Sequence, residues 1–192
     1  MSGLKAISSV LLLAGCAQLP PAEVPHAPRS TAEAVVFDID GTLTPANFAY
    51  SEARPAAAQT VTTYSNKGYK IIYLSTRMPG FQTKLPGWLQ RNGFPKGTIH
   101  VAQTWKERSN AAKFKSGILA HYKQQGWHLA YAYGDSSTDF QAYAQAGIPK
   151  EHVFALKRRG QDKCQQGVYQ HCLNDWEQNL RFVKQLKTPA GR

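Results

Sequence analysis

Five short apolar runs, each followed by a stretch with helical spacing or a polar turn, constrain this chain more than any other feature. They are AEAVVFDI (32–39), YKIIYLST (69–76), TIHVA (98–102), HLAYAYGD (128–135) and HVFAL (152–156). Runs of this length, β-branched or aromatic and without strict polar alternation, read as strands buried on both faces. The stretches 52–67, 82–92, 107–126 and 137–147 read as helices, and 175–187 as a final amphipathic one. Within 107–126, Phe114, Ile118, Leu119 and Tyr122 fall on one helical face. This alternation predicts an α/β fold, a Rossmann-like three-layer α/β/α arrangement around a parallel sheet of about five strands. At 192 residues with 42% hydrophobic content, the chain has enough material for one core.

In such sheets, ligands bind beyond the carboxyl ends of the strands. Three of those ends turn polar here. Asp38 and Asp40 close the first run, Ser75 and Thr76 the second, and Asp135 the fourth. Any one of these is an ordinary cap or turn residue, but the three together mark a site. Residues 38 and 40 project the same way by the two-residue strand period. Two carboxylates that close repel unless a cation neutralises them or one is protonated. A hard cation such as Mg²⁺ prefers oxygen ligands, and Asp38, Asp135 and Asp139 offer them. Gly41 leaves room for backbone to approach a phosphate, and a nearby Lys or Arg would balance its charge.

The amino-terminal residues carry a separate signal. Ile7 to Ala14 is an apolar run too short to span a bilayer and reads as a secretory h-region. Leu13-Ala14-Gly15-Cys16 resembles a bacterial lipobox, which implies removal of residues 1–15 and lipidation of Cys16. An ordinary cleaved signal peptide is the competing reading. Ala17 stands where an Asp would suggest inner-membrane retention, so the resemblance points to a periplasmic protein anchored in the outer membrane. Residues 16–33, rich in Pro and Ala, read as an extended tether, and 34–192 as a single domain. Export leaves Cys164 and Cys172, in CQQGVYQHC, able to form a disulfide in an oxidising compartment. A metal site using Cys164, His171 and Cys172 would lack a fourth ligand. The net charge of +11 favours acidic partners. It is scattered, with no long basic block, so a solvated basic surface and a membrane-facing one both fit, and no nucleic-acid partner is expected.

Asp38-Ile39-Asp40-Gly41-Thr42 matches the DxDGT signature of the haloacid dehalogenase superfamily of phosphotransferases. Ser75 matches its second motif, a helix lysine the third, and Gly134-Asp135-Ser136-Ser137-Thr138-Asp139 the acidic fourth. The order of four motifs makes the match specific. VVFDIDGTLT, GYKIIYLSTRMPG, WLQRNGFPKGTI, AAKFKSGIL and AYGDSSTDFQAYAQAGIP further resemble the catalytic domain of lipins, Mg²⁺-dependent phosphatidate phosphatases. That likeness covers roughly residues 34–157. Lipins commonly carry Asn at the position of Asp135.

The resemblance implies a mechanism. Asp38 would attack phosphorus and form an aspartyl-phosphate. Asp40 would protonate the leaving alkoxide and then activate water. Ser75 would hydrogen-bond a phosphoryl oxygen, and a lysine would steady its charge. Mg²⁺ would bind Asp38, the backbone carbonyl of Asp40 and Asp135, with Asp139 ligating or orienting. Lys113 and Lys115 compete for the lysine role, and Lys115 is chosen because Leu119 and Tyr122 follow at four and seven residues. Thr76 and Arg77 are candidates for contact with phosphate or head group, although Arg77 equally suits pairing with an acidic neighbour. Little chain separates Asp40 from Ser75, so the expected type is capless, with an open site. Trp88, Phe81 and Trp105 are then candidates for lipid contact, against core packing.

Three functions follow as expectations. The first is a phosphatase for phosphatidic acid or a related anionic phospholipid. The second is an exported acid phosphatase for small soluble phosphoesters. The third is a module that binds phosphatidic acid without turnover, as lipin-related domains do when the second aspartate is missing, which it is not here. A monomer is expected in each case.

Overall fold

The computed structural model describes residues 18–28, 32–46 and 51–189. Residues 1–15 and Cys16 lie outside them. The chain forms β1 (Glu33–Asp38), α1 (Ala57–Lys67), β2 (Lys70–Ser75), α2 (Pro79–Gln82), α3 (Leu85–Arg91), β3 (Thr98–Val101), α4 (Trp105–Ser109) and α5 (Ala111–Gln124). It continues with β4 (His128–Gly134), α6 (Ser137–Gln145), a 3₁₀ turn at Lys150–His152, β5 (Val153–Leu156), β6 (His171–Leu173) and α7 (Trp176–Gln185).

All the strand pairings are parallel, in the order β3-β2-β1-β4-β5-β6. The sixth strand adds to the expected set. It is only three residues long, and the Cys164–Cys172 disulfide ties it to the preceding loop across eight residues. Closing so short a loop removes about 2.5 kcal/mol of unfolded-chain freedom. The Cys164→Ser/Cys172→Ser variant should therefore lose about that much in urea titration, and the reductant that lowers wild-type stability should leave the variant unchanged.

The two-residue period of β1 divides the core. Val35 and Phe37 enter one apolar cluster, with Val61 and Tyr64 of α1 and Trp176 and Val183 of α7. Ala34 and Val36 enter the other, with Leu119 and Tyr122 of α5 and Phe140 and Tyr143 of α6. Helices therefore cover both faces of the sheet, giving the three layers. Phe37 stacks on Tyr133 with ring centroids 5.1 Å apart. The buried hydroxyls of Tyr64 and Tyr133 bond at 2.7 Å, and Asn179 Nδ2 donates to Tyr133 at 2.9 Å.

Two helices expected as continuous are broken. The stretch 82–92 is helical mainly over α3, which opens with a proline in its first turn, where the missing N–H has no cost, and the short α2 precedes it from the Pro79–Gly80 step to Gln82. The stretch 107–126 restarts at Asn110, whose side chain accepts from the Lys113 N–H and caps α5. The expected apolar face also shifts. α5 buries Ala112, Lys115, Leu119 and Tyr122, while Phe114 and Ile118 are half-buried. Lys115, placed at the inner edge of this helix by Leu119 and Tyr122, turns inward to buried carboxylates.

His100 of β3 is buried, with Nε2 2.9 Å from the Tyr122 hydroxyl. Burial, aided by His121 and Lys70, pulls its pKa down to about 4. An unfolded histidine takes its proton near pH 6.5, so between these values the unfolded state holds more protons. Stability should be full above about pH 6.5 and fall toward pH 4, by up to about 3 kcal/mol. Urea titrations at pH 7 and 4.5 should show this decline, and His100→Gln should flatten it.

Residues 18–28, within the stretch read as a tether, lie against the domain. Ala27 N donates to Gln125 O, and Trp127 Nε1 donates to Pro25 O at 2.7 Å. Val24 packs on the α5–α6 side of the core and Leu19 on the other. Gln18 Nε2 donates to both the backbone and side-chain oxygens of Gln103.

Candidate active site

The strand order reverses between β1, which runs on to β2 and β3, and β4, which runs on to β5 and β6. Loops leaving neighbouring strands there must part, and they open a crevice at the carboxyl edge. A cleft of about 310 Å³ lies at that edge, lined by Asp38, Asp40, Thr76, Arg77, Lys115 and Asp135 among others.

Each side chain is aimed by the element that carries it. Asp38 ends β1 and is buried; its Oδ2 accepts from Thr42 Oγ1 at 2.7 Å and its Oδ1 from Lys115 Nζ at 2.6 Å. The same ammonium donates to Asp139 Oδ1 at 2.6 Å. Lys113, two residues away, is exposed. Asp139 spends its other oxygen on the start of α6, accepting from the Ser136 hydroxyl at 2.7 Å and from the backbone N–H of Asp135 and Ser136. It therefore closes a capping box and orients Lys115 at once. Asp139 thus orients Lys115 while offering an oxygen within 4.8 Å of those of Asp38 and Asp135. Gly134 allows this: a Cβ there would stand 2.5 Å from that of Asp139.

Asp40 reaches the cleft from the loop after β1. Arg77 Nε donates to its Oδ1 at 2.9 Å, and Ser75 Oγ donates to its Oδ2 at 2.7 Å. Of the two readings for Arg77, the structure shows the pairing with an acidic neighbour. Ser75, expected to meet phosphate, holds Asp40 here. Thr76 is half-buried in the wall of the cleft. Gly41 does not line it; its φ of 91° turns the chain beneath Asp40, a conformation glycine adopts without penalty. Trp88 is not a surface aromatic, being 2% exposed and stacked on Phe94, whereas Phe81 and Trp105 are exposed.

Sequence reasoning missed three residues. Arg158, just past β5, donates from Nε to Asp135 Oδ2 at 2.6 Å. Thr42 buttresses Asp38. Arg54 donates from Nη2 to the carbonyls of Gly41 and Lys157, tying the first loop to the one after β5. Thr42 was legible in the DxDGT run. Arg158 looked like one more scattered charge, and only its place after a strand end could have singled it out.

The electrostatics fit a hard cation. Oxygens of Asp38, Asp135 and Asp139 lie within 4.8 Å of one another, all buried. Burial, then Asp139, pushes the Asp38 carboxyl well above its ordinary range, against the pull of Lys115. Asp135 is raised too, by burial and then Asp139, against Arg158. Burial depresses Lys115, but Asp139 and Asp38 outweigh it and hold the ammonium well above the usual lysine range. A donor set made only of oxygens suits Mg²⁺.

The family model for the "PITM 1-3, LNS2 domain" matches residues 35–157, from the middle of β1 to the loop after β5. The chain belongs to the LNS2 domain family. This LNS2 domain is 28% identical over 145 residues to human membrane-associated phosphatidylinositol transfer protein 3, covering 69% of the chain and 14% of that protein. It is 29% identical over 155 residues to mouse phosphatidate phosphatase LPIN3, covering 66% of the chain and 18% of the relative. The chain thus spans less than a fifth of either relative. The D,D-heptose 1,7-bisphosphate phosphatase of B. bronchiseptica shares the fold, with TM-score 0.56, 16% identity, and coverage of 80% of this chain and 98% of that one. The LNS2 domain therefore shares the fold of that phosphatase and is similar in sequence to a lipin. The matched residues contain every acidic side chain of the cleft, while Arg158 falls one residue beyond them.

Proposed function

We propose that this chain is a Mg²⁺-dependent phosphomonoesterase that uses Asp38 as nucleophile and acts on phosphatidic acid or a related anionic phospholipid. The convergence of Asp38, Asp135 and Asp139 within 4.8 Å, with Lys115 between two of them, carries the reading. The family shown and the phosphatidate phosphatase among its relatives support it. The phosphatase that shares its fold is described as complexed with magnesium and phosphate.

Asp38, Asp135 and the carbonyl of Asp40 would hold Mg²⁺, which supplies charge neutralisation for the phosphoryl oxygens. Lys115 fixes the Asp38 carboxylate so that Oδ2, released from Thr42, can attack phosphorus. The phosphorus–oxygen bond to the alcohol breaks as the bond to Asp38 forms. Asp40 gives its proton to the departing alkoxide, then takes one from the water that hydrolyses the aspartyl-phosphate. Ser75 and Arg77 set the direction of Asp40, and release of either frees a donor for the phosphoryl group.

The lipobox resemblance supports placing the enzyme in a bacterial periplasm, lipid-anchored through Cys16 at the outer membrane. Among the described residues, no helix is long and apolar enough to cross a membrane.

Phosphate release from phosphatidate vesicles and from soluble esters, with Mg²⁺ and with chelator, tests the proposal. Release from phosphatidate that requires Mg²⁺ is expected. Release from soluble esters alone would move the protein to the exported acid phosphatase reading. Vesicle binding with no release from either would make it a binding module.

A further inference from the structure

The segment 18–28 joins two ends of the sheet. Near its carboxyl-terminal side it is held by Gln125 and Trp127, which precede β4 and so lie at the amino edge. Near its start, Gln18 is held by Gln103, which follows β3 and so lies at the carboxyl edge. Gln103 Nε2 also donates to the carbonyls of Leu19 and Val101, locking the crossing in place. Gln103 is next to Ala102, and Gln82 Nε2 donates to the carbonyls of both Ala102 and Arg77. One glutamine thus links the docking point of the strap to the wall of the catalytic cleft.

This same edge exposes the large apolar side chains Trp105 (72%), Met78 (58%) and Phe81 (39%). Met78 lines the cleft, and Trp105 opens the short α4 beyond β3. A capping box between Thr104 and Glu107 holds the turn that presents Trp105. Lys84 and Lys106, both exposed, flank these side chains in sequence. Apolar side chains interleaved with lysines suit the interface of an anionic bilayer. Gln18 follows Cys16 by two residues in the sequence.

We infer that the carboxyl edge of the sheet, with Trp105 and Phe81 exposed on it and Met78 in the wall of the cleft, is laid on an anionic phospholipid bilayer, and that the strap brings the lipid anchor out at that same edge. The inference rests on the reading of Cys16 as the acylated residue and extends the proposed function by orienting the site. A lipid-borne phosphomonoester then meets the cleft without leaving the bilayer. An anchor on a free tether would leave the domain to tumble above the surface.

The full chain, expressed with its leader and recovered from bacterial membranes, is placed on phosphatidylcholine/phosphatidylglycerol vesicles carrying brominated acyl chains. Neither lipid is a phosphomonoester, so docking is read apart from turnover. Trp88 and Trp176 are buried, which leaves Trp105 at the carboxyl edge and Trp127 at the amino edge to report orientation. Bromine quenching is expected to persist in Trp127→Phe and to fall at least threefold in Trp105→Phe. Quenching that survives in Trp105→Phe would overturn the inference, as would an unmodified Cys16 in the mass of the amino-terminal peptide. In the Trp105→Ser/Phe81→Ser variant, turnover of phosphatidate in vesicles should drop about tenfold, with a small soluble phosphoester turned over within twofold of wild type. Equal loss on both substrates would overturn it. Quenching of Trp105 in a protein that leaves phosphatidate intact would support the docking and sink only the substrate; phosphatidate turnover without quenching would do the reverse.

Discussion

Asp38→Asn should lower phosphate release by about 10⁴-fold or more, the loss typical when a nucleophile is removed, while leaving the domain folded. The side chain keeps its shape: its amide oxygen can accept from Lys115 and its NH₂ can donate to the Thr42 hydroxyl. Its loss also relieves the site. Asp38 is buried beside Asp139 and Asp135, and that surrounding disfavours its charge. Lys115 retains Asp139 as a partner at 2.6 Å. With chelator present, the urea midpoint of the variant should therefore equal or exceed that of wild type. With Mg²⁺ present the order should reverse, because a cation that binds the native state stabilises it by mass action and the variant has lost a ligand. Phosphate release and urea titration, each with Mg²⁺ and with chelator, check both halves. Release near the wild-type rate would remove Asp38 from the chemistry.

The largest effect on stability should come from Lys115→Met. Lys115 is 3% exposed, and its ammonium bonds two buried carboxylates. Methionine fills much of the volume but leaves Asp38 and Asp139 facing each other without a cation. Breaking a buried pair from one side costs about 3–5 kcal/mol. The unpaired carboxyls would then take up protons, so the sign of the pH dependence follows. The Asp38 carboxyl, already pushed up by burial and Asp139 and now without Lys115, would stand further above its unfolded value, the folded state would hold more protons, and stability would fall as pH rises through that interval. The deficit should thus be larger at pH 8 than at pH 5, and Mg²⁺ should restore part of it. Lys113→Met, on an exposed position, should stay within about 0.5 kcal/mol. Urea titrations of both variants decide the matter. Equal, small losses would mean that the Lys115 pairs contribute little.

The acidic side chains were legible because of where they stood. A carboxylate is tolerated after a buried strand only if something receives it, so Asp38, Asp40 and Asp135 announced a site from local pattern alone. Their cationic partners were not so placed. Lys115 was distinguished from Lys113 only by Leu119 and Tyr122 at four and seven residues, in a helix whose apolar period also took in the half-buried Phe114 and Ile118. Arg158 sat in a basic stretch with Lys157 and Arg159 that looked like solvated surface. The break at Asn110 was hidden for a similar reason. Asparagine is a mediocre helix former rather than a stop, and only its bond to the Lys113 N–H made it a cap.

Strand and helix periods, the DxDGT run and the polar strand ends were properties of neighbours a few residues apart, and those the amino-acid order determined by itself. Which cation serves which carboxylate was decided by the tertiary structure. Lys115 meets Asp38 across 77 residues and Arg158 meets Asp135 across 23. The physical reason is the strand order. Reversal between β1 and β4 brings the end of one strand beside the end of another, and no period read along the chain encodes that adjacency. The same holds for the strap, whose Pro- and Ala-rich composition suggested a free linker. Its glutamine at position 18 found a partner 85 residues away.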